Sequence, residues 1–434
     1  MNKRQVLILW VIAIALAAAI AFVKFGRNQE IKSSTSRTTG QTLIESFPAT
    51  EVASIEIKGA TDATSLTKKD GKWIVAQRDN YPAKPSEVNG LLRTIGELKV
   101  TQGMQAGPSF APRFGMDEAS KDPKEHGIAL TFKDASGKEL TKVTVGKNIE
   151  STASASPMGG GSSGRFVRNH ADESGFYSVS EMFSSLGEEP KRWLAEEFFK
   201  PEKIQSVSVT QPGKSDIFWK VVRADENADF ALEGKAANEV VDPTVLNAYK
   251  SLFAFTRFED IVPAAEVEKR AENDQKRTLK IVTFEGFVYT ITFTPTKAGS
   301  VPPPVDPENP APPAEETFLV TIDVSAEVPK ERKKEDGEKE EDAKAKDAAF
   351  AERSKALNEK LAKEKALAGY TFQVSKSSFE AATKTRGDFF KKEEAADSAA
   401  PGPLPSAQEV VTPPIAVPPM RLAPPAPPEK PAGE

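Results

Sequence analysis

The chain of 434 residues is long enough for two or three ordinary domains with buried cores. Its 58 basic and 63 acidic residues leave a formal net charge of -5, so no global positive field favours nucleic acid as a partner. The sequence contains no cysteine, which excludes disulfides, thiolate metal sites and cysteine nucleophiles and suits an oxidising compartment.

The amino terminus carries an uncharged apolar run over residues 6–23. As a helix rising about 1.5 Å per residue, this run is long enough to cross a hydrocarbon core. The alternative is a cleaved signal peptide, for which Ala17 and Ala19 supply an A-x-A pattern. Because the apolar run continues past both alanines, we predict an uncleaved anchor over residues 1–27 in the cytoplasmic membrane. Long domains translocate largely regardless of flanking charge, which favours a body on the extracytoplasmic, periplasmic side.

A polar linker is predicted over residues 28–44, and a repeated pattern begins after it. The phrase "FPATEVASIEI" at 47–57 aligns without a gap with "FKPEKIQSVSV" at 199–209. Alternating apolar and polar residues predict a strand with one buried face in each copy.

Both copies then continue in the same order of elements. The first predicts a hairpin turning at Asp70-Gly71, an apolar-faced helix over 88–98 and a second hairpin turning at Ser136-Gly137. The second predicts a hairpin over 216–234, a helix capped by Asp242 and a hairpin turning at Glu285-Gly286.

Each copy closes with a compositionally biased loop, another strand and a shared final phrase. The loops are "STASASPMGGGSSG" in the first copy and "VPPPVDPENPAPP" in the second, and the final phrases are "GFYSVSEMFSSL" and "GYTFQVSKSSFEAA". Each final phrase predicts a short strand running into a helix. The sequence therefore predicts an α+β fold with two tandem, internally repeated modules of antiparallel hairpins and helices, over residues 45–189 and 190–395.

Two segments fall outside this repeat. Residues 331–368 are rich in charged helix formers and predict an inserted helix, in which Phe350, Leu357 and Leu361 form a thin apolar seam. This seam could dock on a partner helix, but we favour a solvated arm with one edge on its own domain. Residues 396–434 are rich in proline and alanine and predict a disordered or polyproline tail.

A search for chemistry nominates no catalytic, cofactor-binding or metal-binding residue. The only histidines are His126 and His170, and the carboxylates of Asp172 and Glu173 beside the latter are too few and too adjacent to predict a metal site. The glycines of "GGGSSG" at 159–164 lack the preceding strand and following helix of a phosphate loop.

Two further patterns could indicate a catalytic or a binding site. Ser65 to Lys68 spells S-x-x-K, but this phrase lies on a hairpin arm and lacks the companion motifs of a serine hydrolase. The rings of Trp73, Tyr81 and Trp219 would suggest a glycan-binding cleft if they were exposed together, although burial in the core is the favoured prediction.

The amino-terminal anchor, "DGKWIV" at 70–75, "RFGMD" at 113–117 and "VTVGK" at 143–147 together resemble the bacterial family called domain of unknown function 4340. The resemblance extends roughly over residues 50–390, and the first copy matches better because the second lacks "DGKW" and "FGMD". It implies a membrane-anchored extracytoplasmic protein associated with ABC-type transport systems of the gliding-motility kind. It implies no catalytic residue.

These observations lead us to expect a non-catalytic accessory or scaffold protein of an envelope transport complex. Its expected partners are the membrane, through residues 6–23, and protein subunits of the complex, with no nucleic acid and no cofactor. Exposed hairpin edges and the charged helix are the expected contact surfaces. The alternative is an envelope module that binds a cell-wall polymer or another glycan, and an enzyme is a third, less favoured class.

Overall fold

The computed structural model describes residues 35–150, 162–297, 316–332 and 338–390. Two antiparallel sheets and a few helices make up these ranges, which confirms the α+β class. The described residues include no helix that combines the length and the apolar character needed to cross a membrane. The predicted anchor, the tail, both biased loops over most of their length and residues 333–337 of the insertion lie outside the described ranges.

The first sheet has nine strands, in the order β4-β3-β2-β1-β6-β7-β8-β9-β5. Every neighbouring pair is antiparallel. The strands are β1 Ser54–Lys58, β2 Ala63–Lys69, β3 Lys72–Val75, β4 Tyr81–Pro82, β5 Val100–Met104, β6 Ile128–Lys133, β7 Glu139–Glu150, β8 Ser162–Asn169 and β9 Phe176–Val179.

The second sheet has eight strands, in the order β12-β11-β10-β14-β15-β16-β17-β13. They are β10 Ile204–Thr210, β11 Ile217–Val222, β12 Ala231–Leu232, β13 Asp260–Val262, β14 Arg277–Thr283, β15 Phe287–Pro295, β16 Thr317–Ala326 and β17 Thr371–Ser375. If β4 is set aside, the strands of the two sheets follow one another in the same order. The first sheet ends on β5, which follows the helix over residues 85–97, and the second ends on β13, which follows the short helix over residues 243–247.

Alternation of side chains decides which face of each sheet is buried. In β1, Ile55 and Ile57 are fully buried while Glu56 between them is exposed. The three predicted hairpin turns at Asp70-Gly71, Ser136-Gly137 and Glu285-Gly286 are confirmed. Asp70 and Gly71 have φ values of 49° and 77°, the left-handed pair that a two-residue hairpin requires.

The described residues form six α-helices beside the sheets. They are α1 Pro85–Glu97, α2 Pro123–His126, α3 Pro243–Asn247, α4 Ala264–Arg270, α5 Glu340–Lys365 and α6 Glu380–Thr383. Helix α1 buries Val88, Leu91, Leu92 and Ile95, as its spacing predicted. In α3 the predicted cap is confirmed, because the Asp242 carboxylate accepts a hydrogen bond from the Thr244 N–H at 2.8 Å.

The predicted helix after β9 does not form. Phe183 adopts a left-handed φ of 51°, and its N–H donates to the Glu181 carboxylate at 3.1 Å, so the chain turns instead of continuing a helix. In the second sheet the corresponding phrase does run from β17 into a 3-10 turn over 376–379 and then into α6.

Residues 35–44, which fall within the predicted linker, pack onto the first sheet. Leu43 is fully buried, and its N–H donates to the Leu98 carbonyl at 2.7 Å. The Gly40 N–H donates to the Val100 carbonyl at 2.8 Å. This part of the predicted linker therefore belongs to the folded body and hydrogen-bonds to the edge of the sheet beside β5.

The predicted charged helix is α5, whose 26 residues span about 39 Å. Leu357 and Leu361 are half-buried and pack against the core cluster that fills the second sheet. Leu357 and Leu361 of the apolar seam therefore lie on the folded body, in agreement with the favoured prediction, whereas Phe350 does not belong to this contact.

Candidate functional site

The two sheets meet in a buried aromatic joint. The Tyr81 ring of the first sheet makes edge contacts with Phe258, Tyr370 and Phe372, at centroid distances of 5.7, 4.9 and 6.0 Å. Its hydroxyl donates to the Glu197 carbonyl at 3.1 Å, so the buried polar group is satisfied. Residues of both sheets belong to one continuous hydrophobic cluster.

A charged pair joins the sheets beside these rings. The Arg78 guanidinium donates to both carboxylate oxygens of Asp260, at 2.7 and 2.9 Å. Both side chains are less than a fifth exposed. The neighbouring Asp79 carboxylate accepts from the Ala264 N–H at 2.9 Å, at the start of α4. A bidentate pair fixes the relative rotation of the groups that carry it, so the joint is held in one geometry.

A groove of about 820 Å³ runs along this joint. It lies between the start of α1, the connector over residues 195–202 and the last turns of α5. Lysines and glutamates alternate around it and pair with each other: Lys84 with Glu196 at 2.9 Å, and Lys360 with Glu202 at 2.8 Å. Because its charges are mutually neutralised, the groove presents no strong field of either sign.

The Glu364 carboxylate is the buried group of the groove. It accepts hydrogen bonds from the Tyr289 hydroxyl at 2.8 Å and the Lys200 N–H at 2.9 Å. Burial away from water raises the pKa of Glu364, although both hydrogen bonds act in the opposite direction. These two bonds tie the carboxyl end of α5 to strand β15 and to the connector, so Glu364 positions the helix.

The edges of the first sheet are not free docking strands. At the β4 edge, the Ala195 N–H donates to the Pro82 carbonyl at 2.9 Å, and the Lys84 N–H donates to the Trp193 carbonyl at 2.8 Å. At the β5 edge, residues 35–43 form the hydrogen bonds. The expectation of exposed hairpin edges is therefore wrong for this sheet, and α5 remains as an exposed surface.

Each of the two histidine rings lies within hydrogen-bonding distance of a neighbouring protein group. His126 is buried, with Nδ1 2.8 Å from the Gly127 carbonyl oxygen. His170 has Nε2 2.8 Å from the Thr144 hydroxyl, and burial, with Lys142 and Arg168 nearby, lowers its pKa to about 4.

The carboxylates beside His170 do not build a metal centre with it. Asp172 instead accepts hydrogen bonds from the Ser36 hydroxyl at 3.0 Å and from the Tyr177 hydroxyl. In the ranges that the structure describes, no three His, Asp or Glu side chains are grouped so that they could hold a metal ion.

The structure also places the residues of the S-x-x-K pattern and the three aromatic rings. Ser65 and Lys68 lie three residues apart on β2, so they face opposite sides of the strand and form no catalytic pair. Trp73, Tyr81 and Trp219 are all buried, which places them in the core as favoured. In the "GGGSSG" sequence at 159–164, residues 159–161 lie outside the described ranges.

Two of the phrases that carry the family resemblance meet at one corner of the first sheet. A methyl group on Gly146 of "VTVGK" would lie 2.2 Å from the carbonyl oxygen of Phe114 in "RFGMD". A methyl on Gly127, whose φ is 71°, would lie 2.6 Å from the Gly115 carbonyl oxygen and 2.8 Å from that of Val145. The glycines therefore allow three backbone segments to touch.

This corner walls a pocket of about 290 Å³ that sequence reasoning missed. Its lining includes Lys124, Lys147 and Arg165, which come from the start of α2, from β7 and from β8. The quoted motif contains Lys147, but nothing local in the sequence places Arg165 beside it, because a loop separates their strands.

Comparison with known proteins gives one family match. Residues 73–277 match the model of a family described as Domain of unknown function (DUF4340), which supports the resemblance seen in the sequence. The matched segment begins in β3 and ends at the start of β14, so it includes the glycine corner and, of the aromatic joint, Tyr81 and Phe258 but not Tyr370 or Phe372. Neither the curated proteins nor the solved structures give a match.

Proposed function

We propose that this protein is a non-catalytic, membrane-anchored accessory or scaffold protein on the extracytoplasmic side of a bacterial cytoplasmic membrane, serving an ABC-type transport complex. The observation that carries the scaffold role is the joint between the sheets. A bidentate ion pair and a cluster of rings make a rigid body, and a rigid body can hold other proteins at fixed positions.

Other parts of the proposal rest on the sequence. The apolar run at 6–23 supports the anchor and the location of the body. The order of strands, shared by the two sheets, supports a duplicated module. The association with ABC-type transport is carried by the family resemblance alone.

Helix α5 is the surface that we propose meets the partner. Its charged face, including Glu352 and Lys355, is exposed along about seven turns, while Leu357, Leu361 and Glu364 fix the opposite edge. A long helix held on one side and solvated on the other is a ready docking element, and its charges would select a partner by complementarity.

The alternative of a glycan-binding module gains no support from Trp73, Tyr81 and Trp219, since all three are buried. It stays a prediction for other surfaces, and it predicts a different outcome in the experiment below.

In-cell photo-crosslinking tests the proposal. A photoreactive phenylalanine derivative replaces Lys355 on α5 in one strain and Lys72 in the β2–β3 hairpin in another, both sites being exposed. Crosslinked products are identified by mass spectrometry after gentle detergent extraction. We expect ABC-transporter membrane subunits to be captured from position 355 and not from position 72.

Capture of wall fragments, or of no membrane protein from either position, would contradict the accessory role. Capture from position 72 alone would keep the transport partner and reject α5 as its docking surface. As a control for correct folding and insertion, each variant should be present in the membrane fraction in the same amount as the wild-type protein.

A further inference from the structure

The small pocket at the glycine corner is rich in positive charge. Three cationic side chains, Lys124, Lys147 and Arg165, line it, and Glu188 is its one carboxylate among the described residues. The Glu188 carboxylate accepts a hydrogen bond from the Thr61 hydroxyl at 3.2 Å and lies against Gly59. The lining therefore carries a formal charge of +2, in contrast to the large groove, whose four lysines and five glutamates leave a formal charge of -1.

Arg165 is a half-buried cation that forms no ion pair with any of the described residues. Its Nε–H donates to the Gly146 carbonyl at 2.8 Å, and one terminal nitrogen donates to the same oxygen. Within the part of the chain that the structure describes, no carboxylate lies within 4.0 Å of the guanidinium. Arginine in proteins is ordinarily paired when it is removed from water, so the remaining donors of this fork are available for an anion.

Burial is the physical cause that shifts the pKa of Arg165. Burial lowers its pKa, and no nearby acid compensates. A bound anion would supply that compensation, since the guanidinium remains charged and would gain a partner in a medium of reduced dielectric constant.

The surrounding backbone holds the cations in place. Gly115, Gly127 and Gly146 bring the turn after Phe114, the end of α2 and strand β7 into van der Waals contact. Lys124 projects from α2 and Lys147 from β7, and Arg165 is tied to the same strand β7 through the Gly146 carbonyl. Rigid backbone around a charged cluster is the arrangement that binding sites use to limit the entropy lost on binding.

From these observations we propose that the pocket binds one phosphate-type oxyanion, free or carried by a small molecule or a lipid headgroup. The planar fork of Arg165 would donate to two of its oxygens, and the Lys124 and Lys147 ammonium groups would neutralise the remaining charge. A volume of about 290 Å³ holds such a group together with a small part of its carrier. This proposal is independent of the accessory role.

Isothermal titration of the full-length chain, purified in a neutral detergent, tests the site with sodium phosphate against sodium chloride at matched ionic strength. We expect saturable binding of phosphate that Arg165→Gln weakens by about tenfold or more, the effect of losing a bidentate contact. Arg277→Gln is the matched control. Arg277 is also a half-buried arginine that donates to a backbone carbonyl, that of Thr383, and burial lowers its pKa too, but it lies on the second sheet.

Lys147→Gln guards against a folding artefact, because this exposed side chain makes no ion pair among the described residues and its removal should leave thermal unfolding unchanged. We expect it to weaken phosphate binding by about threefold, as loss of a single exposed charge would. A second titration with glycerol 3-phosphate separates the sources: tighter binding than inorganic phosphate indicates a carried group, and equal binding a free anion.

Absence of saturable binding of both anions to the wild-type chain would overturn the proposal. Equal affinity in wild type, Arg165→Gln and Arg277→Gln would overturn it too, because the anion would then be bound elsewhere.

Discussion

The same corner of the two sheets carries opposite charge. In the first sheet it lies beside α2, before β6, and contains Lys124, Lys147 and Arg165. In the second it lies beside the 3-10 turn at 273–275, before β14, and is lined by Glu272, Asp274 and Lys297 among other residues. The two sheets therefore share a strand order, but the side chains at the equivalent corners differ in charge.

The backbone of the two corners differs as well. The residue that precedes β6 in the first sheet is Gly127, and the residue that precedes the equivalent strand β14 in the second sheet is Lys276. Only the first corner includes the "RFGMD" turn, whose Gly115 carbonyl approaches Gly127. The second corner has a close approach of its own, since a methyl on Gly213 would lie 2.7 Å from the Asp274 carbonyl oxygen. The first corner differs in joining three backbone segments, so a substitution there should affect stability far more than at an open turn.

The largest effect should follow Gly127→Ala. The new methyl group would lie under 3 Å from two carbonyl oxygens at a left-handed φ, and we expect the free energy of unfolding to fall by about 4 kcal/mol. Gly71→Ala is the control, with φ of 77° and nothing within 4 Å of the methyl, and should cost about 1 kcal/mol. Urea unfolding of the full chain measures both, and equal costs would refute the close-packing argument.

A smaller effect is expected at the joint that unites the sheets. Arg78→Met leaves the Asp260 carboxylate without its partner in a place less than a fifth exposed, and should reduce the unfolding free energy by about 2 kcal/mol. A double-mutant cycle with Asp260→Asn measures the coupling between the two side chains. Additive single effects would show that the pair does not hold the sheets together.

Acid should lower the free energy of unfolding through His170, which follows strand β8 of the first sheet. The folded-state pKa of His170 is about 4, below its ordinary 6.5. The folded state therefore binds fewer protons than the unfolded state between these values. The stabilisation is complete above about pH 6.5 and is lost as the pH falls to about 4.

We expect this loss to amount to about 1 kcal/mol, less than the full shift implies, because the partly exposed ring is screened by solvent. The measurement is the difference in unfolding free energy between wild type and His170→Gln at several pH values. Parallel curves for the two proteins would contradict the assignment.

The smallest effect concerns the pKa of the same histidine. The Lys142 ammonium lowers it, so Lys142→Met should raise the pKa of His170. Lys220→Met, which breaks a comparable exposed pair with Glu233 on the second sheet, should leave that pKa unchanged. Imidazole proton chemical shifts followed through a pH titration give the answer, and an unchanged His170 in Lys142→Met would remove Lys142 as a cause.

Local patterns made much of the fold predictable. The Asp70-Gly71 turn, the stripe of Val88 and Ile95 in α1 and the Asp242 cap each depend on residues within a few positions of one another. The helix predicted after β9 failed because Phe183 takes a left-handed conformation within a packed turn, which its apolar spacing does not reveal. The linker prediction was wrong at Leu43, because a single Leu-Ile pair in a polar stretch carries no periodicity that would indicate docking on the sheet.

The sequence by itself determined the order of hairpins and helices, the placement of the turns and the charged character of α5, because periodicity and turn chemistry act over short distances along the chain. Only the tertiary structure decided that Arg78 meets Asp260 and that Arg165 joins Lys124 and Lys147 around one pocket. Those groups come together through packing between distant segments, where burial removes water and strengthens charge interactions, and no local pattern encodes such a meeting.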